Sequence, residues 1–306
     1  MPLVMPLATV LASTRGKINL AFVLGSVALL VFHLLAPGLE KEFSYHMLFG
    51  VVLTLGLVHG CLDYEVEMNT NPRLSKLRFY VVYIVQMLAV GLLWLVSQQV
   101  AVIFFFICTA WHFGETDFSL FKLDVHPAII ALYGLGITVW LFGSHLDENL
   151  GNLTALGLIS ESQKDVMALI PRIAEIMTIA AALMIALAAF LSGLYTSLPN
   201  MLMLGGVLLV TWFLPLIPAF TAYFGFWHSL HTIHLIKSDI KLSLPKLALK
   251  AAPLLGASLS STALLILAFA YFELSPQAVL LVFISALTLP HAGTMHQLLL
   301  RHRQAA

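Results

Sequence analysis

Ile18-Asn19-Leu20-Ala21-Phe22-Val23-Leu24-Gly25-Ser26-Val27-Ala28-Leu29-Leu30-Val31-Phe32-His33-Leu34-Leu35-Ala36-Pro37 is an uninterrupted apolar run that follows the basic pair Arg15 and Lys17. About 20 residues at ~1.5 Å each cross the ~30 Å hydrocarbon core of a bilayer, and the run is too long for the apolar region of a cleavable signal. It reads as a span. The same ruler along the remaining sequence predicts about ten helices, at 18–37, 44–61, 79–97, 99–121, 127–143, 171–192, 200–216, 218–236, 252–272 and 276–299. The composition agrees: 60% hydrophobic and 10% charged residues over 306 positions lie outside the globular range. The expected fold class is all-α, a polytopic transmembrane helix bundle, with residues 1–306 forming a single integral membrane domain. Pro127, Pro171 and Pro276 sit where a first helical turn tolerates a missing N–H, and Pro215 with Pro218 predicts a tight hairpin between the seventh and eighth helices. Only Ser97 to Gln99 separate the third and fourth, which predicts antiparallel neighbours. Ser144 to Ile170 is a polar loop with room for a surface helix.

Basic residues orient the bundle. With the N-terminus inside, Arg15, Lys17, Arg73, Lys76, Arg78, Lys122, Lys237, Lys241, Lys246, Lys250, Arg301 and Arg303 all fall on the cytoplasmic side, against Lys41, Lys164 and Arg172 outside. Both termini are therefore expected in the cytoplasm, and the protein is expected in the cell inner (plasma) membrane as a multi-pass chain in a lipid bilayer. Fifteen basic and fifteen acidic residues leave no net charge to grip nucleic acid, which excludes DNA and RNA as partners. Cys61 and Cys108 are expected to be free thiols.

Twelve histidines are the anomaly in so apolar a chain. His59, His112, His228 and His291 each fall on an even-numbered span, late in a helix that travels inward, so all four sit at similar depth in the inner half of the bilayer. Imidazoles from four helices at one depth can converge in a bundle core as a metal or cofactor site. Taken singly, each is as readily an interhelical hydrogen-bonding residue. Asp63 lies four residues after His59 and Glu115 three after His112, offsets that would bring a carboxylate to the second ring N–H of a bound imidazole. Glu67 and Asp124 read as surface charges. At ~100° per residue His231 lies ~60° from His228 and shares its face, whereas His234, ~120° away, is a boundary residue. Pro290 breaks the tenth span immediately before His291, while His296 and His302 read as interfacial.

These segments resemble the bacteriorhodopsin-related Brp/Blh family of membrane β-carotene 15,15'-dioxygenases. The matches are His59, Gly60 and Asp63; His112, Phe113, Gly114 and Asp117; Tyr223, Phe224, His228 and Ser229; and Leu289, Pro290 and His291, from the second helix to the tenth. The resemblance implies an Fe(2+) enzyme that adds O2 across the central double bond of β-carotene and releases two retinal molecules, with a functional link to a microbial rhodopsin through retinal supply. It also implies four histidine ligands: His59, His112, His228 and the residue four after His228. Here that residue is Thr232. His231 is favoured as the replacement, with His291 or a site of three protein ligands as the other options. A family paralogue acting on another carotenoid or lipid is the alternative activity. Neutral imidazoles suit Fe(II), with Asp63, Glu115 and Asp117 available to balance its charge. Trp111, Phe113, Tyr223, Phe224, Phe226 and Trp227 either line a slot for a polyene or simply fill space. A di-haem membrane cytochrome would also use paired histidines on facing helices. A zinc hydrolase is disfavoured because no His-Glu-x-x-His segment occurs. A proton pathway ranks below these, because the carboxylates gather at one face.

Overall fold

The computed structural model describes residues 14–36, 43, 46–146, 169–271 and 276–304, and among these there is no strand. Among the described residues ten longer helical segments follow in order: α1 Thr14–Leu35, α2 His46–Thr70, α3 Lys76–Val96, α4 Gln98–Phe121, α5 Pro127–Gly143, α6 Ile170–Leu191, α7 Leu198–Phe213, α8 over 216–240, α9 Leu244–Tyr271 and α10 Pro276–Gln304. Each of the ten expected helices overlaps one of them. Seven (α1, α2, α3, α4, α6, α9 and α10) are long and apolar enough by length and composition to cross a membrane. α5 and α7 are shorter apolar helices. α8 is composite, with a π-helical stretch Thr221–Ser229 between two α-helical pieces. The surface helix expected within 144–170 falls largely outside the described residues.

Local chemistry sets the ends. Ser97 terminates α3 and caps α4, its Oγ accepting from Val100 N–H at 3.4 Å. His126 does the same for α5, accepting from Ala128 N–H at 3.2 Å, with Pro127 in the first turn. Leu214 is extended and Pro215 begins α8, which makes the anticipated hairpin. Exposed faces of α1, α3, α6 and α9 carry large apolar side chains such as Leu24, Ile84, Leu88, Ile176, Leu183 and Leu264. Such continuous apolar surface is unstable in water and stable against lipid.

Inside, α4, α5 and α6 pack in succession, α10 lies against α3, α4 and the end of α2, and α1 covers the π stretch of α8. Two of these approaches are backbone-close and need glycine. A Cβ on Gly134 would collide with the Ala110 carbonyl oxygen, and one on Gly114 with that of Ile130, so α5 rests on α4 with no side chain between them. Trp94 Nε1–H donates to Ser285 Oγ at 2.6 Å and ties α3 to α10. The ends of α2, α8 and α10 close over Asp239. Burial opposes its charge, but His302 (2.8 Å), Asn69 (2.7 Å) and Arg301 donate to the carboxylate and hold it below the usual range.

Candidate metal centre

Four buried imidazoles meet in the core. Ring centroids are 4.7 Å apart for His59 and His291, 4.8 Å for His291 and His112, 4.8 Å for His112 and His228, and 5.5 Å for His228 and His59, all edge to face. One nitrogen each from His59, His112 and His291 lies within 4.8 Å of the others. The helices α2, α4, α8 and α10 each bring one ring.

Backbone form positions two of these rings. α2 carries a π-helical stretch, Val52–Gly56, one turn before His59, and His228 lies inside the π stretch of α8. In a π turn the amide reaches back five residues, and Ser229 Oγ–H makes the same span by donating to Phe224 O at 2.7 Å. The two stretches press together: a Cβ on Gly56 would lie 2.7 Å from the Phe224 ring, and one on Gly225 would collide with Val51. π bulges of this kind recur at functional sites because the extra residue re-aims the side chains after it.

The donor set suits a metal. His59 Nδ1–H donates to Leu55 O at 3.1 Å and His291 Nδ1–H to Asp63 Oδ1 at 2.8 Å, which leaves a lone pair on each Nε2. Both ring nitrogens of His112 and of His228, and Nε2 of His291, are buried with no hydrogen-bond partner among the described residues. Leaving a buried polar atom unpaired costs roughly 1–3 kcal/mol, so a cluster of such atoms is expensive unless a cation fills it. Adjacent rings, 4.7–5.5 Å apart between centroids, stand too close for a porphyrin to lie between them.

His231 is not part of the cluster. Its ring lies edge-on to Trp227, Nδ1 is 2.7 Å from the Trp227 carbonyl oxygen, and Nε2 is 3.0 Å from Asn19 Oδ1 on α1. The expected rotation onto the His228 face assumed regular α-helix, and the π stretch changes that phase. Thr232 instead lies beneath His228 and donates to its carbonyl oxygen at 2.9 Å. The ring beside His59 and His112 is that of His291, one of the other options left open by the sequence.

The three acids are buried, but none serves the histidine next to it in sequence. Asp63 accepts from His291 and from Tyr83 Oη–H (2.9 Å), because the helix is interrupted by a turn at Cys61 and Leu62 and the i, i+4 relation to His59 is lost. Glu115 lies 2.8 Å from His296 Nδ1 on α10 and not beside His112. His296 is thus a partner of a buried acid, not merely interfacial. Asp117 accepts from Tyr133 (2.9 Å), Tyr223 (3.1 Å) and Trp227 Nε1–H (2.8 Å). Tyr83 and Tyr133 had no signal in the sequence beyond a hydroxyl placed mid-span. Asp63→Asn should lower metal affinity about 10- to 100-fold, since it weakens the bond that orients His291; equilibrium metal titration of the purified protein checks it.

A cavity of about 550 Å³ opens from the imidazoles. Each histidine helix adds to its wall residues one and two turns earlier: Gly56 and Val52 before His59, Thr109 and Phe105 before His112, Phe224 and Phe220 before His228, Leu287 and Ile284 before His291; α2 also adds Cys61, Asp63 and Tyr64 beyond His59. It therefore extends along the four helices toward their N-termini, with an apolar and aromatic lining. Trp111 and Trp227 do not line it; Trp227 is committed to Asp117.

Comparison with known proteins yields one family. Neither curated proteins nor solved structures gave a match. The family model described as Beta-carotene 15,15'-dioxygenase matches residues 50–298, a stretch that contains all four clustered histidines, the three acids and the whole cavity wall. The chain belongs to the beta-carotene 15,15'-dioxygenase family.

Proposed function

We propose that this protein is an Fe(II)-dependent dioxygenase that cleaves β-carotene at its central 15,15' double bond with O2 to give two retinal molecules. The metal ligands are His59, His112, His228 and His291. The observation that carries this reading is the set of buried ring nitrogens of His112, His228 and His291 without partners among the described residues, gathered beside the His59 ring at the wall of an apolar cavity. Neutral imidazoles suit ferrous iron, which when bound supplies the electrons that make O2 reactive toward an alkene.

The residues of the chain do the rest. Asp63, fixed by Tyr83, orients His291, and the Leu55 carbonyl orients His59, so two of the rings are held in one tautomer before any metal binds. Phe105, Phe220, Phe224 and Phe283 give the cavity flat, apolar faces against which a conjugated polyene can lie. Burial of the cluster excludes water from the cleaved bond. In the balanced reaction the C15=C15' bond breaks and each carbon receives one oxygen atom of O2, so no further reductant is needed.

The bundle is proposed to be one integral membrane domain of about ten spans in the inner membrane, both termini cytoplasmic, where β-carotene and O2 are already dissolved. Retinal release there would serve a microbial rhodopsin. The test is expression in cells that accumulate β-carotene. Loss of yellow colour with appearance of retinal is expected. Cells that stay yellow while holding well-folded, iron-loaded protein would overturn this reading in favour of a paralogue with another carotenoid or lipid substrate.

A further inference from the structure

We propose that the cavity opens sideways into the bilayer between α3 and α9, and that this opening, edged by Ile84, Ala257 and Ser261, is the route by which an elongated apolar substrate reaches the histidines. All three residues line the cavity and are also exposed on the outer surface, while the other end of the same cavity is the buried histidine cluster. Among the described residues α3 and α9 make no extensive contact with one another, although both contribute to the wall. The depth of the mouth identifies what lies outside it. Tyr64 and Tyr80 stack at 5.4 Å beneath Lys76 Nζ, which sits 5.5 and 6.0 Å from their rings, the arrangement of an aromatic belt at a membrane interface. Ile84 is one turn deeper than Tyr80, and Ala257 lies midway along α9. Tyr64 and Tyr80 also line the cavity, so the mouth runs from the interface down into the hydrocarbon at Ile84 and Ala257. Small side chains at Ala257 and Ser261, one turn apart, leave the passage clear on the α9 side.

At the inner end of this route stand His59, His112, His228 and His291, all four on the cavity wall. The occupant follows from the chemistry: a long, apolar, conjugated molecule drawn from the lipid phase. That identification rests on the proposed function; the lateral opening does not.

Two experiments separate them. First, Ala257→Trp and Ser261→Trp, each on an exposed position, are expected to keep wild-type iron content and to lower kcat/KM for β-carotene about 10- to 100-fold, the scale of loss when a substrate cannot reach its reacting geometry. Unchanged kcat/KM in both variants would overturn the route. Second, Ala257→Cys is placed in a background of Cys61→Ala and Cys108→Ala, because Cys61 also lines the cavity. In vesicles it should react with a long-chain maleimide dissolved in the membrane and resist a sulfonated, water-borne one, with β-carotene slowing the labelling. Faster reaction with the sulfonated reagent would place the mouth in water and end the proposal even if cleavage persisted. Wild-type protein that leaves β-carotene intact, yet shows the membrane-side labelling, would retain the opening and end the assignment of substrate.

Discussion

His291→Ala is expected to lose bound iron and all retinal formation, while His231→Ala keeps both. The two variants test opposite assignments of one ligand. Removing His291 takes away an imidazole that faces His59 and His112 at 4.7 and 4.8 Å and leaves the Asp63 carboxylate buried with only the Tyr83 hydroxyl donating to it. Metal affinity should fall by more than the roughly 10- to 100-fold that the loss of a supporting partner costs. His231 by contrast makes its contacts with Trp227 and Asn19, away from the cluster, so its removal should cost about 1–3 kcal/mol of stability and no iron. Thr232→His should fail to add a ligand: Thr232 is fully buried beneath His228, and a larger ring there overpacks the helix at a cost of roughly 1–3 kcal/mol. Metal analysis, product chromatography and thermal stability in detergent are the readouts. An iron-free His231→Ala beside an iron-loaded His291→Ala would reverse the assignment.

Hydropathy made the helices legible because crossing ~30 Å of hydrocarbon leaves a backbone few options, and each helix must be apolar along its length. Position along a span was legible for His59, His112, His228 and His291 for the same reason: rise per residue is nearly constant whatever the side chains do. Azimuth is a different matter. Whether His231 or His291 faces the cluster depends on rotation about the helix axis, and the π stretch Thr221–Ser229 shifts that rotation without a mark in composition or periodicity. The partners of the acids are subject to the same limit. Neighbour rules within a helix pair Asp63 with His59 and Glu115 with His112, yet across a packed bundle the nearest imidazoles belong to His291 and His296 on α10. The number of helices that cross the bilayer is also less legible than their existence, because α5, α7 and the composite α8 fall short of the length or hydropathy of the seven clear spans. Pro290 was a usable signal: a proline inside a span followed at once by histidine singled out the residue that the structure brings to the cluster.

Asp117→Leu is expected to accumulate little folded protein, whereas Asp117→Asn folds and retains iron. Asp117 is fully buried and accepts from Tyr133 of α5 and from Tyr223 and Trp227 of α8, so one carboxylate joins α4, α5 and the π stretch that carries His228. Leucine matches its volume but leaves two hydroxyls and an indole N–H buried without an acceptor, each at about 1–3 kcal/mol. The sum, on the order of 3–9 kcal/mol, approaches the whole stability of an ordinary domain. Asparagine keeps one oxygen acceptor, and the tyrosine hydroxyls can turn to accept from its amide, so most of the network survives. The pair also separates two roles. If Asp117 served to neutralise a bound cation, the uncharged asparagine would lose iron nearly as completely as leucine. Retention of iron and of His228 geometry in Asp117→Asn, measured by metal content and by the spectrum of the ferrous site, would make Asp117 a residue that positions the π stretch through hydrogen bonds. A stable, iron-loaded Asp117→Leu would remove it from both roles.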